Sequence, residues 1–218
     1  MLRTLTDPTT HTDLDVSRRL QALGDEQARF ELLGWMSASH ERAHEEDGHG
    51  TRVAELSGEI ASATGLPTGA ARHIADAARV HDIGKLGVPD TLLRQRHELS
   101  HDDLETIKTH TTIGAEILAG AGTSPVFQLA AVVALTHHER WDGSGYHGLR
   151  DRQVPLAARI VGVADVYDAL TNTRCYKRAW SSHEATEEIV RGAGVRFAPD
   201  IVDGFLAVVG SSMRVRTA

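Results

Sequence analysis

An all-α fold is what this sequence predicts, on three observations. Apolar residues recur at helical spacing in one segment after another. Residues that start and stop helices bracket those segments. No alternating apolar–polar pattern repeats, so strand signals are sparse. The expectation is a helical bundle of about seven helices with its chemistry inside, for reasons that the residues below supply.

Residues 1–13 are polar. From Leu14 to about Ser39 apolar positions such as Leu20, Leu23, Phe30, Leu33 and Met36 fall at helical spacing. The next helix begins near Glu45 or His49 and runs to Ala63, with Gly65 as its stop signal. Pro67 starts another, through AARHIADAARV to His81. Ser100 and Asp103 have capping-box spacing for a helix through Leu118 that AGAG closes. Pro125 opens a helix to His138, and residues 139–155 read as a loop. VPLAARIVGVADVYDALTN returns to helix, although IVGV alone would also suit a strand. Ser181 and Glu184 again have capping-box spacing, and APDIVDGFLAVV makes a last helix. The division expected is a partly helical extension at 1–40, a main domain at 41–212 and a tail at 213–218.

Composition narrows the chemistry. The chain has 218 residues, 41% of them apolar, enough for a sizeable core. No stretch approaches the roughly 20 apolar residues of a membrane span, and the N-terminus lacks an apolar signal-peptide core, so no membrane is expected. A single cysteine, Cys175, excludes an internal disulfide and a cysteine-rich zinc site and points to the cytoplasm. The net charge of -7 argues against a broad DNA-binding surface, while a small anionic substrate still fits if metal ions supply local positive charge. There are 13 histidines. His11, His40, His44, His73, His97, His101 and His183 are expected on the surface, and the others fall inside motifs.

VHDIGKLGVPD places His81 and Asp82 at a helix C-terminus, with Lys85 just after. Neighbours in a regular helix point about 100° apart, so both reach one centre only at a fraying end or beside two metals. Glu45 and His49 are spaced i, i+4 and share a helix face if the helix has begun by Glu45. His110 sits mid-helix among Ile107, Ile113 and Ile117, a position that more often holds a core histidine than a ligand. His137 and His138 end the apolar helix PVFQLAAVVALT. Asp165 follows an apolar run, where a carboxylate is costly unless paired or metal-bound. Asp168 lies one turn on, and Arg174 and Lys177 follow past the helix end. These imidazoles and carboxylates, spread over successive helices, suit a hard or borderline divalent cluster.

HGTRVAELS, HDIGKLGVPD, IKTHTTIGAEIL, HHERWDGSGYHG, ARIVGVADVYDALTNTRCYK and FAPDIVDGF, in this order, resemble the HD-GYP family of metal-dependent phosphohydrolases, a subgroup of the HD superfamily. The resemblance runs from about Glu45 to Val209. It implies two or three divalent metal ions, iron or manganese before nickel or zinc, on Glu45, His49, His81, Asp82, His110, His137, His138 and Asp165. It implies that Asp82 bridges metals, that Lys85 contacts the scissile phosphate, and that Asp168, Arg174 and Lys177 hold substrate. The activity implied is hydrolysis of cyclic di-GMP to linear pGpG and on to GMP, with another cyclic dinucleotide or nucleotide as the alternative substrate. A non-catalytic nucleotide- or partner-binding module is the alternative from a different class. A signalling-protein partner at the 139–150 loop and a homodimer are further expectations. One departure stands out. The family's Gly-Tyr-Pro reads Gly145-Tyr146-His147 here, which frees the backbone φ angle, restores an N–H donor and adds a titrating ring.

Overall fold

The computed structural model describes residues 24–44, 48–95, 98–172 and 179–216, with side chains to residue 211. Among them every regular element is helical, and the nearest thing to a sheet is one isolated bridge between Ala193 and Phe197. The helices are α1 (Glu26–Ala43), α2 (His49–Ala63), α3 (Thr68–Ala78), α4 (Asp90–Leu93), α5 (His101–Lys108), α6 (His110–Ala121), α7 (Pro125–Thr136), α8 (Leu156–Thr171), α9 (Ser182–Arg191) and α10 (Pro199–Arg216). Two 3-10 turns, Ile83–Gly87 and Asp151–Gln153, punctuate the series. No described helix is long and apolar enough to cross a membrane.

Both expected capping boxes form. The Ser100 hydroxyl accepts from Asp103 N, and the Asp103 carboxylate accepts from Ser100 N. Ser181 and Glu184 do the same for α9. Helix α2 starts differently. Its N-cap, Gly48, has no side chain to offer, and the buried Glu41 of α1 accepts from Gly50 N at 3.1 Å instead. A carboxylate there satisfies an orphan donor and suits the positive end of the helix.

The helix expected to run unbroken from Ser100 to Leu118 is divided at Thr109. Side chains cause the break. Thr109, His110 and Thr111 each bond the carbonyl three residues back, on Thr106, Ile107 and Lys108. Such bonds compete with the backbone ladder. His110 therefore heads α6 instead of sitting mid-helix.

The core joins Leu33 of α1, Val53 and Ile60 of α2, Phe127 of α7, Ile160 and Val163 of α8 and Phe205 of α10, all fully buried. Helix α2 packs on α3 and α8, and α6 packs on α7 and on the 83–87 turn. Short links join α2 to α3 and α6 to α7, so each pair runs antiparallel. The start of one helix and the end of the next then lie together, and that end gathers the ionisable residues.

The surface histidines divide. His73, His101 and His183 are exposed as expected, while His11 and His97 lie outside the described residues. His40 and His44 correct the expectation. One helical turn apart at the C-terminal end of α1, which His44 caps, they stack with ring centroids 4.1 Å apart and are half-buried, with His44 Nε2 3.3 Å from Asp90 of α4.

Candidate metal centre

Each ligand position comes from a helix end or an inner helix face. His49 opens α2, and His110 opens α6. His81 and Asp82 follow α3, which ends at Ala78, three residues before the predicted His81. That early end lets the neighbours converge, with His81 Nε2 3.4 Å from Asp82 Oδ2. His137 and His138 follow α7. Asp165 comes from within α8.

Backbone carbonyls fix how the rings face. His81 Nδ1 donates to Ala78 O at 2.7 Å, and His110 Nδ1 donates to Ile107 O at 2.6 Å. His137 Nδ1 donates to Ala134 O at 3.0 Å. A histidine whose Nδ1 carries the proton presents an Nε2 lone pair, the arrangement usual for metal ligands. His49 gains the same order from a carboxylate, with Nδ1 2.8 Å from Asp168 Oδ2.

Among the described residues the inward atoms have ion-pair neighbours but no hydrogen bonds. Nε2 of His81, His110 and His137 and Oδ1 of Asp82 are buried without a hydrogen bond. Leaving such atoms without hydrogen bonds is expensive, and a cation between them removes the cost. Two donor groups emerge, Asp82 with His110, His137 and His138, and Asp82 with His49 and His81, each with its ligand atoms within 4.8 Å of one another. Asp82 belongs to both. Asp165 Oδ1 joins the second group, 3.3 Å from His49 Nε2 and 3.9 Å from His81 Nε2. An imidazole and carboxylate set of this kind fits divalent metal ions.

The electrostatics agree. Burial would raise the Asp82 carboxyl, but Lys85 and the ring of histidines outweigh it and hold it well below the usual range. Asp165 is likewise held down by His49 against the effect of burial. Burial drives His81 down to about 4 and lowers His110 and, well below its ordinary value, His138, keeping these rings neutral and able to coordinate. His49 and His137 go the other way: for His49 burial is outweighed by Asp165 and Asp168, and it rises to about 10, while for His137 burial is outweighed chiefly by Asp82.

Two residues expected to meet substrate contact side chains of the centre itself. Lys85 is mostly buried with Nζ 2.7 Å from Asp82 Oδ2, at the centre itself. Asp168, expected to hold substrate, is buried and occupied by protein donors. Arg52 Nε and Asn172 Nδ2 reach Oδ1 at 2.6 and 2.8 Å, and Arg52 Nη2 reaches Oδ2 at 3.0 Å beside the His49 contact. The structure thus pairs Asp168 with His49, Arg52 and Asn172. Arg52 was not singled out in the sequence, though its i, i+3 spacing from His49 was a signal. Glu45, Arg174 and Lys177 lie outside the described residues.

The 139–150 loop hangs from Glu139, another residue sequence reasoning passed over. Its buried carboxylate accepts from His147 N at 2.6 Å and Leu149 N at 2.7 Å. The first of these donors is one a proline at 147 would lack. The His147 side chain is on the surface, with Nε2 3.3 Å from Thr111 Oγ1, and it belongs to neither donor group. Gly145 lies against the chain at Glu139, where an added Cβ would come within 2.6 Å of Glu139 Cα. The loop folds tightly enough to bring Tyr146 over His138, ring centroids 4.7 Å apart.

Known proteins resemble this chain in sequence and in fold. A cyclic di-GMP phosphodiesterase of Thermotoga maritima is 44% identical over 179 residues, 81% of this chain and 48% of that protein. A 3'3'-cGAMP-specific phosphodiesterase of Vibrio cholerae is 35% identical over 168 residues, 77% of this chain and 32% of that protein. The chain thus spans half or less of the length of these relatives. An HDG"Y"P protein of Bdellovibrio bacteriovorus shares the fold at a TM-score of 0.62 and 18% identity, over 95% of this chain and 74% of that one. The family model for the HD domain matches residues 34–201, spanning every described ligand position, and the chain belongs to the HD-domain family.

Proposed function

We propose that the chain is a metal-dependent phosphodiesterase that hydrolyses cyclic di-GMP to pGpG and on to GMP. The observation that carries this reading is the pair of donor groups sharing Asp82 around buried ligand atoms without hydrogen bonds. Relatives named as cyclic di-GMP phosphodiesterases supply the substrate class. The relatives specific for 3'3'-cGAMP support a second reading, the same hydrolysis on another cyclic dinucleotide.

His110, His137, His138 and Asp82 would hold one divalent cation, and His49, His81, Asp165 and Asp82 a second. Glu45 would serve a third. Iron or manganese is the proposed metal, ahead of nickel or zinc. When bound, such cations polarise phosphoryl oxygens and acidify water near neutral pH. The protein's own part is positional and electrostatic. Asp82 keeps its negative charge at the centre because Lys85 and the histidines stabilise it. Lys85 is held where it would meet charge building on the phosphate. Arg174 and Lys177 would grip substrate as cations. The same reading places the working domain at 41–212 in the cytoplasm, as a homodimer, with the 139–150 loop as a docking point for a signalling partner.

Changing Asp82 to alanine removes the carboxylate common to both groups. Turnover of cyclic di-GMP should be abolished, and bound metal measured on the purified protein should fall. Full activity of metal-replete Asp82→Ala protein sinks the reading.

A further inference from the structure

Beside the metal centre lies a cavity of about 350 Å³, bordered on one side by His138 and Asp165. Besides the histidines, its walls carry three aromatic rings, Trp141, Tyr146 and Phe197, and three guanidinium groups, on Arg140, Arg159 and Arg196. In a chain of net charge -7, three arginines around one cavity next to two buried carboxylates need a reason.

The guanidiniums differ in how well the protein compensates them. Arg140 has Asp142, with Nη2 3.3 Å from Oδ2, and donates to Ser144 Oγ at 2.7 Å. Arg159 lies over the Trp141 ring at 5.7 Å and donates from Nε to Val154 O, but its Nη1 is buried without a hydrogen bond, 3.5 Å from Asp200. Arg196 forms no ion pair among the described residues. Its head lies 5.3 Å from the Phe197 ring centre, and desolvation together with the like charge of Arg140 presses its pKa below the ordinary value, against the weaker pull of Asp165 and Glu188. Two guanidiniums that repel one another across a partly desolvated cavity are relieved by an anion placed between them.

The backbone fixes this arrangement. Trp141 N donates to Arg196 O at 3.1 Å, and Asp142 N donates to Val195 O at 2.9 Å. The 141–142 stretch and the turn before α10 are therefore joined, with Arg196 and Arg140 on either side of the join.

We propose that this cavity is the subsite for the phosphate of a cyclic dinucleotide that is not being cut, with Arg196 as its principal contact. The inference rests on the phosphodiesterase reading above. A cyclic dinucleotide carries two phosphates in one ring, so seating one at the metal centre brings the other close by. Arg196 offers that second phosphate planar, paired donors and a charge with no ion pair among the described residues. The terminal phosphate of linear pGpG has the same chemistry and would use the same contact in the next turnover.

The test compares metal-loaded wild-type protein with Arg196→Ala and Arg196→Lys. Turnover is measured on cyclic di-GMP and on bis(4-nitrophenyl) phosphate, a diester with one phosphate, and pGpG binding is measured by calorimetry. In Arg196→Ala the ratio of kcat/KM for cyclic di-GMP to that for the small diester should fall about 10- to 100-fold, the size of a charged hydrogen bond. The fall should lie mainly in KM. Binding of pGpG should weaken by a similar factor, and lysine should recover part of both. An unchanged ratio, or pGpG binding that ignores the substitution, overturns the subsite. Wild-type protein that leaves cyclic di-GMP intact yet binds pGpG through Arg196 supports the subsite and overturns the phosphodiesterase reading instead.

Discussion

At the level of single residues, Asp168 shows how partners decide a role. Its two oxygens are taken by Arg52, Asn172 and His49, which leaves a substrate little to bind. Its negative charge instead keeps the His49 ring in place, so that Nε2 faces Asp165. Outer partners of metal-binding histidines are worth about 10- to 100-fold in metal affinity. Asp168→Asn should therefore weaken metal binding by about that factor in a chelator competition, while KM at saturating metal changes little. A large rise in KM with metal affinity intact would return Asp168 to the substrate side. His147 makes a related point. Exchange of the family proline costs no ligand and supplies Glu139 with a backbone donor at 2.6 Å.

At the level of elements, helix ends are the means of construction. A ligand inside a regular helix is limited to one direction, whereas a residue past the end has free dihedrals and can turn inward. Asp82 uses that freedom, at φ -101° and ψ 11°, while His137 still has helical dihedrals as the C-cap of its helix. The 83–87 turn must then lie against α6 closely enough for Asp82 Oδ1 to stand 3.4 Å from His110 Nε2. Gly84 permits it. A Cβ there would meet His110 O at 1.9 Å and Gly114 N at 2.4 Å, both backbone atoms that cannot swing aside. Gly84→Ala should lower stability in urea by about 1–3 kcal/mol or more and reduce bound metal as the turn is pushed off α6. A variant with wild-type stability and metal content would show that the contact is dispensable.

At the level of the whole molecule, cations would fasten together elements that the apolar core alone brings near. Metal bound only by the folded state stabilises it by mass action, about 2.7 kcal/mol at a hundredfold excess over Kd. Chelation should therefore lower Tm, and the size of the drop should depend on pH. His49 has its folded pKa raised from 6.5 to about 10 by Asp165 and Asp168. A raised pKa adds stability that is complete below about pH 6.5 and is lost as pH climbs through about 10. Metal binding displaces that proton, so the alkaline loss belongs to the chelated protein. Thermal melts between pH 6 and 10.5 should show the loaded and chelated curves drawing apart as pH rises. Parallel curves would mean that His49 carries no such proton.

By itself the sequence determined the helical class, both capping boxes, most helix starts and the residue types of the centre. These follow from local periodicity, side-chain caps and the scarcity of sites where a buried acid or imidazole is affordable. It could not decide the break at Thr109, because three side-chain bonds to the preceding turn prevail there over a good helical pattern. Nor could it tell that Asp168 faces His49, that Glu139 anchors the loop, or that Arg196 reaches a cavity bordered by Asp165. Those are contacts between residues far apart in the chain, and only the packing of the helices sets which atoms meet. Spacing names the groups able to coordinate or bind, while tertiary structure assigns each its partner.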